Sequence, residues 1–298
     1  MLADFLKDKS AKTTRTEYGK DLRQFFKFLS DEPITQLVAE FLSLDQFEAI
    51  ALVLKYKASM TERGLKESTI NRRLAAIKSM VNFARKLGKC SYNLADIKGE
   101  KVQLYRDTKG VSKEVYKKLL DVPDRETLKG KRDYAILRLL WGNALRRNEA
   151  IQSDIKDFDP EARTLAILGK GKGSQKETIT LSRATVEALQ DWLFARSEPD
   201  INQPLFIALD RSSYGHRMSG TAVYKVIQDV ASKAGLSKHL SPHRIRHSAI
   251  TAALEATGGD VRSVQKLSRH ADINILLIYD DNRKNVQGAI TEMLSDLV

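Results

Sequence analysis

The sequence predicts a mainly α-helical protein with a small β-hairpin, an α+β fold divided into two domains. Helical spacing of apolar residues through most of the chain is the first observation behind this prediction, and a change to period two around residue 164 is the second. The third is the length of 298 residues, which at roughly 150 residues per domain suits two ordinary cores. A content of 42% hydrophobic and 30% charged residues is typical of globular proteins, not of disordered or membrane-spanning chains.

The first hundred residues read as helical. One helix is predicted to begin after Thr13 or Thr14, and its apolar stripe consists of Tyr18, Leu22, Phe25, Phe26 and Leu29. A later helix is predicted to be capped by Ser68 or Thr69 and to stop at Gly88, with a buried face made of Ile70, Leu74, Ile77, Val81 and Ala84. Both stripes indicate a shared helical core.

The other side of the later helix is basic, since it carries Arg72, Arg73, Lys78, Arg85 and Lys86. An ordinary solvated face is the alternative interpretation of such a cluster. Residues 31–48 hold five acidic residues and no basic one, so the positive charge of this domain is unevenly distributed. We therefore expect one side of the domain to be basic.

A domain boundary is predicted where the periodicity lapses, between Tyr92 and Ser112. This stretch contains Gly99, Gly110 and many charges, which suits a connection between domains. We expect a helical domain at residues 1–98, a linker at 99–111 and a second domain at 112–298.

The second domain is predicted to combine helices with one hairpin. An amphipathic helix starts at Ser112, and a strongly apolar one carries Tyr134 to Trp141. Residues 164–168 and 177–181 then alternate with period two around the segment GKGKGSQK. The segment lacks the spacing of a nucleotide-binding phosphate loop, so the tip presents Lys170, Lys172 and Lys176 either to a phosphate backbone or only to solvent.

The charge balance narrows the class of partner. Fifty Lys and Arg against 38 Asp and Glu leave a net charge of +12, which favours a polyanion such as nucleic acid. Cys90 is the single cysteine, which excludes a disulfide framework and a multi-cysteine zinc site. No apolar stretch has the length of a signal peptide or a membrane helix, so a cytoplasmic protein is expected.

The segment from His243 to His247 has a more specific pattern. Ser241 and Pro242 predict a helix start, and the spacing places His243, Arg246 and His247 on one face near that start. A zinc-binding helix is disfavoured because the glutamate of the HExxH pattern is missing and an arginine lies between the histidines. Anion binding and the satisfaction of buried backbone groups both remain open at this point.

Two further segments complete a recognisable set. Residues 144–149 read ALRRNE, where a glutamate three residues after Arg146 can orient that arginine, and residues 267–270 read LSRH with Tyr279 nine residues after His270. In this order the segments resemble the tyrosine recombinase family, also called phage integrases, over nearly the whole chain. The architecture is similar to the simple Xer and Cre types, with a helical, SAM-like core-binding domain followed by a catalytic domain.

The resemblance implies a role for each of six residues. The catalytic set would be Arg146, Lys170, His243, Arg246, His270 and Tyr279, with Tyr279 as the nucleophile. Lys172 takes the lysine role if the hairpin register is shifted. Contacts to DNA are expected from Arg72, Arg73, Lys78, Arg85, Lys172, Arg244 and Arg269. The chain has Ala144 and Arg269 where the family usually has glycine, and Arg269 either touches DNA or points outward.

These residue types suit metal-free chemistry on a phosphodiester. Two guanidiniums can stabilise the negative charge that develops on the non-bridging phosphate oxygens during attack, so no metal or other cofactor is expected. Histidines can add hydrogen bonds, and His243 can accept the tyrosine proton. A lysine can protonate the leaving 5′ oxygen. The product is a 3′-phosphotyrosyl link that stores the energy of the broken bond, so rejoining needs no ATP.

We therefore expect a site-specific DNA recombinase whose partner is double-stranded DNA. The resemblance also implies a homotetramer on DNA, in which the segment from Arg283 to Val298 passes to a neighbouring protomer. So short a segment cannot bury its apolar face alone, and packing of that face on its own domain is the alternative to exchange; the face consists of Val286, Ile290, Met293 and Leu297. A type IB topoisomerase with the same tyrosyl chemistry and a DNA-binding regulator that has lost catalysis are the alternatives.

Overall fold

The computed structural model describes residues 1–102, 110–169, 175–197, 200–236, 239–283 and 286–297. Its backbone forms two compact units, Met1–Leu104 and Tyr105–Val298. Helices dominate both units, and the strands form one three-stranded sheet in the described residues, which confirms the mainly α-helical, α+β prediction. The predicted lysines Lys170 and Lys172 lie outside the described residues.

The amino-terminal unit consists of helices packed around one aromatic core. The helices are α1 (Leu2–Asp8), α2 (Lys12–Leu29), α3 (Ile34–Ser43), α4 (Gln46–Glu62) and α5 (Glu67–Lys86). Phe25 of the predicted stripe is fully buried, and its ring lies 5.1 Å from that of Phe41 and 5.2 Å from that of Tyr56. Edge-on aromatic packing of this kind stabilises a core beyond the area that it buries.

Both predicted helix starts in this unit were slightly wrong. Helix α2 begins at Lys12, and α5 begins at Glu67 after Lys66, so neither Ser68 nor Thr69 serves as the cap. The backbone N–H of Thr69 instead donates to the Lys66 carbonyl at 2.8 Å, inside the first turn. The predicted stop is confirmed, because α5 ends at Lys86 and Gly88 adopts a φ of 67°.

The second unit is helical apart from its small sheet. Its helices are α6 (Lys113–Leu120), α7 (Leu128–Gly142), α8 (Arg147–Ile151), α9 (Arg183–Ala195), α10 (Gly220–Lys233), α11 (Pro242–Ala256), α12 (Val261–Ser268), α13 (Asn274–Arg283) and α14 (Val286–Ser295). Ser112 and Ser241 cap α6 and α11 as predicted, each accepting a hydrogen bond from the third residue after it. The main core lies between α7 and α9 and includes Leu137, Leu189 and Trp192.

The sheet contains the predicted hairpin and one further strand. Strand β2 (Thr164–Leu168) pairs antiparallel with β3 (Lys176–Thr180), from Thr164 opposite Thr180 to Leu168 opposite Lys176. Leu165 and Ile167 are fully buried, as the alternation requires. The short strand β1 (Phe158–Asp159) pairs with the other edge of β2 and was not predicted, because two residues show no period.

A smaller apolar cluster supports the end of α7. Ala144 packs there with residues of α11, α12 and α13, which are Ile250, Leu254, Val264, Leu276 and Tyr279. This cluster fixes α11 and α13 relative to the loop after α7, and the candidate site lies on it. Among the described residues, no helix is both long enough and apolar enough to cross a membrane.

Candidate active site

Four stretches that are distant in the sequence meet in the second unit. Arg246 on α11 contacts the carbonyl of Ala144, the carbonyl of Ser268 and the ring of His270, and Tyr279 contacts His247. The loop after α7, the start of α11, the end of α12 and helix α13 are therefore joined by side-chain contacts. The structure brings together Arg146, Arg246, His243, His270 and Tyr279 of the six predicted catalytic residues.

Arg146 is held in place by Glu149. The Arg146 guanidinium donates to Oε1 of Glu149 at 2.7 Å, and the backbone N–H of Arg146 donates to Oε2 at 2.8 Å. Glu149 is buried, and burial alone would raise the pKa of its carboxyl. The hydrogen bond from the Arg146 backbone and the charges of Arg269 and Arg146 outweigh that effect and lower the pKa below its ordinary value. An ionised Glu149 thus orients Arg146, whose side chain is 31% exposed.

Arg246 is the most deeply buried cation of the cluster. Its residue is 2% exposed, and its guanidinium donates to the carbonyls of Ala144 and Ser268. Burial, followed by the charge of Arg146, lowers the pKa of Arg246 to about 10. Arg246 therefore remains charged at neutral pH, and it ties the loop after α7 to the end of α12.

His270 accepts a hydrogen bond from Arg246, since an arginine can only donate. Nη2 of Arg246 lies 3.2 Å from Nε2 of His270, and Nδ1 of His270 lies 3.0 Å from the hydroxyl of Ser268. In the neutral ring the proton is therefore on Nδ1 and points toward Ser268. Fully buried Ser268 thus orients the imidazole of His270.

Arg269 has an internal position, so the expectation that it points outward is wrong. Its side chain is 8% exposed, and Nη2 donates to Oε2 of Glu149 at 3.1 Å. The residue ends α12 with a φ of 56°, and this left-handed backbone turns the side chain inward. Arg269 therefore does not point outward, and it shares Glu149 with Arg146, while its contact with DNA stays a prediction.

Both departures from the family's glycines occupy left-handed backbone. Ala144 has a φ of 46° and Arg269 a φ of 56°. Glycine is favoured at such positions because it has no Cβ to clash with the carbonyl oxygen, and another residue costs roughly 1–2 kcal/mol. The surrounding contacts of Arg246 and Glu149 hold these two positions in place.

Tyr279 lies against His247 of α11, which in turn contacts His243. Its ring stacks on that of His247, with centroids 4.9 Å apart and planes at 23°, and the phenolic oxygen is 3.5 Å from Nε2 of His247. That same nitrogen is 2.7 Å from Nε2 of His243. Tyr279 is 2% exposed, whereas His243 is exposed.

The hairpin is described only at its base. Leu168 and Lys176 close the described part of β2 and β3, and Nζ of Lys176 pairs with the carboxylate of Asp157 at 2.6 Å. Lys176 is thus engaged at the foot of the hairpin. The catalytic role of Lys170 or Lys172 stays a prediction.

Basic residues of α5 have internal partners that the sequence did not reveal. Arg72 pairs with the buried Asp21 at 2.6 Å, and Arg73 donates to the hydroxyl of Tyr56 at 3.2 Å. Burial raises the pKa of Asp21 although both arginines oppose that effect. Nζ of Lys78 donates to the carbonyl of Ile97. The structure thus places Arg73 and Lys78 in contacts within the unit, instead of on the open face that the sequence predicted.

Other predicted DNA contacts are more accessible. Arg85 is exposed near the end of α5, and with Asn82, Lys86, Cys90 and Ser91 it lines an open surface cavity of about 570 Å³. Arg244 on α11 is half-buried. The contacts of both arginines with DNA stay predictions.

Sequence reasoning missed two members of the cluster. The spacing placed His247 on one face with His243, but the stacking of His247 on Tyr279 depends on the packing of α13. Ser268 gave no signal. Among the residues that the structure describes, no group of three His, Cys, Asp or Glu side chains is placed to hold a metal ion.

Sequence comparison places both units in known families. The phage integrase family model matches residues 109–285, and the model of the phage integrase N-terminal SAM-like domain matches residues 2–88. A tyrosine recombinase of Synechococcus elongatus is 54% identical, and the match covers 100% of this chain and 93% of that protein. A tyrosine recombinase of Synechocystis sp. is 51% identical, with 100% and 95% covered.

More distant relatives preserve the architecture. Tyrosine recombinase XerD of Mycobacterium tuberculosis is 30% identical over 90% of this chain and 87% of its own length. The XerH recombinase in its post-cleavage complex with palindromic difH substrate superposes with a TM-score of 0.65 at 19% identity, covering 99% and 95% of the two chains. A λ integrase dimer on a COC′ core site gives 0.66 at 14%, covering 95% and 93%.

The two family models together match residues 2–88 and 109–285, and the relatives above 50% identity cover the whole chain. The solved structures at such low identity add agreement in fold. The chain belongs to the phage integrase family, and its Synechococcus and Synechocystis relatives are both named tyrosine recombinases.

Proposed function

We propose that this protein is a site-specific DNA recombinase that breaks and rejoins DNA strands through a 3′-phosphotyrosyl intermediate, without metal or ATP. The observation that carries the proposal is the meeting of Arg146, Arg246, His270 and Tyr279 in one unit. Relatives above 50% identity over the whole chain are named tyrosine recombinases, which supports the same chemistry here.

The two arginines act on the phosphate. When a nucleophile attacks phosphorus, negative charge grows on the non-bridging oxygens, and preoriented guanidiniums stabilise it without reorganisation. Arg146 is held by Glu149 and is partly exposed, so its guanidinium N–H donors are more accessible to a phosphate than those of Arg246. Arg246 retains further N–H groups beyond its bonds to two carbonyls and to His270, because a guanidinium has five donors. His270 lies beside Arg246 and is assigned to the same phosphate, as the resemblance implies.

Tyr279 forms the covalent bond. Its phenolic oxygen attacks phosphorus and loses its proton, and the bond between phosphorus and the 5′ oxygen breaks. The 3′ end of the strand is then attached to Tyr279. Because Tyr279 is 2% exposed, bond formation requires α13 to shift toward the DNA backbone.

The leaving 5′ oxygen needs a proton to become a stable hydroxyl. We assign that step to Lys170, or to Lys172 if the register of the hairpin tip is shifted, since both follow β2 closely in the sequence. A different 5′ hydroxyl attacking the phosphotyrosyl bond completes an exchange. The original hydroxyl attacking it restores the starting strand.

DNA binding is assigned to both units. Exposed Arg85 with neighbouring Lys86 supplies phosphate contacts from the first unit, and Arg72 retains a side chain that is 40% exposed. Arg244 contributes from α11 beside the catalytic cluster. A net charge of +12 favours association with DNA and makes it depend strongly on salt.

The active assembly is proposed to be a homotetramer on DNA, joined by α14. Helix α14 has ten residues, and it exposes Met293 by 69% together with Ile290 and Leu294, while Leu297 just after it is 79% exposed. So short a helix gains most of its stability from packing an apolar face. A neighbouring copy of the chain is the proposed partner for this apolar face, because in a symmetric assembly each protomer would both donate one helix and receive one.

Trapping the covalent intermediate tests the proposal. A duplex enriched by the protein from a random-sequence library is nicked near the expected cleavage position, so that the short fragment with its 5′ hydroxyl is lost and rejoining is blocked. We expect an adduct that resists SDS, formed with EDTA present and ATP absent. Binding without any adduct would instead favour the DNA-binding regulator.

A plasmid with two copies of the enriched site separates recombinase from topoisomerase. Exchange between the sites is expected, and it yields a deletion or an inversion that restriction mapping detects. Relaxation of a supercoiled plasmid without exchange would favour the type IB topoisomerase.

A further inference from the structure

Arg269 occupies an unfavourable position inside the candidate site. Its side chain is 8% exposed, so a charged group has been removed from water. Its φ of 56° lies in the left-handed region, which is disfavoured for a residue with a Cβ. Its Nε is buried without a hydrogen-bond partner in the part of the chain that the structure describes. Because backbone strain of this kind clusters at functional sites, the contacts of Arg269 indicate what it does there.

These contacts connect Arg269 to the carboxylate that orients Arg146. Nη1 of Arg269 donates to the carbonyl of Leu267 at 2.6 Å and to that of Asn143 at 3.3 Å. Nη2 donates to Oε2 of Glu149 at 3.1 Å. The same Oε2 accepts from the backbone N–H of Arg146 at 2.8 Å, and Oε1 accepts from the Arg146 guanidinium at 2.7 Å. Two arginines from different segments therefore share one buried carboxylate.

Sharing Glu149 changes the charge that is left for a phosphate. An ion pair with Glu149 alone would cancel the charge of Arg146. Arg269 supplies a second cation to that carboxylate, so the two arginines together keep one positive charge beyond the charge of Glu149. Arg246, which has a pKa of about 10 and is charged at neutral pH, adds another. The cluster thus offers two net positive charges to a phosphodiester, which carries one negative charge and gains more during attack.

We propose that Arg269 is a positioning residue that balances the charge of Glu149, so that the carboxylate can orient Arg146 without cancelling the charge that acts on the phosphate. This role needs no contact between Arg269 and DNA. Burial of the carboxylate makes the balance more important, because charges interact more strongly away from water. The inference rests on the proposed function, since it assumes that Arg146 stabilises charge on the cleaved phosphodiester.

Three variants at position 269 separate charge from shape. Arg269→Met keeps an unbranched side chain without charge, Arg269→Lys keeps the charge with a different donor geometry, and Arg269→Gly removes the side chain and suits the left-handed backbone. The matched control is Arg163→Gly, because Arg163 has a similar φ of 53° but is exposed just before β2, outside the cluster. Single-turnover cleavage of the nicked duplex is measured at saturating protein, and duplex binding is measured separately.

The Met and Gly variants should cleave roughly 10-fold to 100-fold more slowly than the wild type, because Arg146 alone then faces the charge of Glu149. The Lys variant should stay within about 5-fold of the wild-type rate, since its ammonium still supplies the charge. Arg163→Gly should cleave at the wild-type rate, and all proteins should bind the duplex equally. Equal losses in the Lys and Met variants would overturn the proposal in favour of a purely structural role. Weaker binding with normal cleavage would overturn it in favour of a DNA contact.

A neutral substrate tests where the charge acts. A methylphosphonate at the cleaved position replaces one non-bridging oxygen by a methyl group, so less negative charge develops during attack. On this duplex the difference between the wild type and Arg269→Met should fall to about 3-fold or less, whereas a structural defect would persist and reject the proposal.

A double variant tests whether Arg269 acts through Glu149. Glu149→Gln with Arg269→Met should be no slower than the slower of the two single variants, because both changes act on Arg146. Rate reductions that multiply in the double variant would show that the two residues act independently and would contradict the proposed role. If the wild-type protein forms no adduct at all, the proposed function itself fails. Wild-type cleavage by Arg269→Met would reject the role of Arg269 alone.

Discussion

Glu149 binds Arg146 at two points, through the guanidinium at 2.7 Å and through the backbone N–H at 2.8 Å. The same carboxylate accepts from Arg269 at 3.1 Å. One buried acid thus orients the arginine proposed to contact the phosphate and anchors the residue just before His270. Glu149 has no proposed chemical role of its own, but it connects the segment of Arg146 with the segment of His270, which both have one.

Glu149→Gln should slow strand cleavage about 10-fold to 100-fold, equivalent to about 1.4 to 2.7 kcal/mol of activation free energy. The amide has one accepting oxygen in place of two and no negative charge, so it cannot balance two guanidiniums, and Arg146 loses its fixed orientation. Single-turnover cleavage of the nicked duplex measures the effect. An unchanged rate would mean that Arg146 is oriented by other contacts.

The same substitution should change how stability depends on pH. The folded-state pKa of Glu149 lies below its ordinary value, so its ionised form stabilises the fold above the unfolded pKa, and this contribution is lost as pH falls through the folded pKa. We expect Glu149→Gln to lower the unfolding free energy by about 1–3 kcal/mol near neutral pH. Urea unfolding at decreasing pH should show this difference shrinking in the acidic range.

Ser268→Ala should reduce cleavage while leaving the protein folded. The hydroxyl of Ser268 orients the ring of His270 through its contact with Nδ1 at 3.0 Å. We expect a cost of about 1 kcal/mol in stability, typical of one hydrogen bond, and a several-fold slower cleavage rate. Tyr116→Phe is the matched control, since it removes a buried hydroxyl that donates to the Leu137 carbonyl at 2.8 Å outside the cluster. Equal reductions of the cleavage rate in the two variants would indicate a general effect of destabilisation.

Substitutions on α5 should separate DNA contacts from internal ones. Replacing exposed Arg85 and Lys86 by alanine should reduce the slope of log affinity against log salt by about 0.9 for each phosphate that the protein no longer neutralises. Arg73→Ala should leave that slope unchanged and lower the stability of the unit, because Arg73 donates to Tyr56. Fluorescence anisotropy at several salt concentrations and urea unfolding distinguish the two results. A slope that falls only in the Arg73 variant would reverse the assignment.

Removing the segment after Asp281 should abolish cooperative assembly on DNA that carries two protomer sites. Leu294→Ser with Leu297→Ser is the milder test, since both side chains are exposed in the single chain and their replacement should not affect its folding. Native gels should show single-protomer complexes in place of the synaptic one. Unchanged synapsis in both variants would reject the exchange of α14.

Much of the fold could be predicted because local patterns determine it. The alternation of apolar and polar residues predicted β2 at its observed bounds. Ser112 and Ser241 likewise indicated where α6 and α11 begin. The inward turn of Arg269 could not be predicted, because it depends on a left-handed backbone angle of 56°. The pairing of Arg72 with Asp21 likewise joins two helices whose charges look solvated when each is read alone.

The site could be predicted as a set of residues but not as an arrangement. Spacing put His243 and His247 on one face of a helix, yet the stacking of His247 on Tyr279 requires α13 to pack against α11. The anchoring of Arg246 by the carbonyls of Ala144 and Ser268 involves backbone groups, which leave no mark in the sequence. Tertiary packing therefore supplies the residues that orient the predicted ones.

The covalent link to Tyr279 is the central claim, and one comparison tests it most directly. Wild-type protein and Tyr279→Phe are incubated with the same nicked duplex, denatured in SDS, and the DNA-linked peptide is identified by mass spectrometry. We predict that the wild-type adduct carries DNA on Tyr279, and that the Phe variant binds the duplex without forming an adduct. An undiminished adduct in the Phe variant, or DNA attached to another residue, would contradict this account.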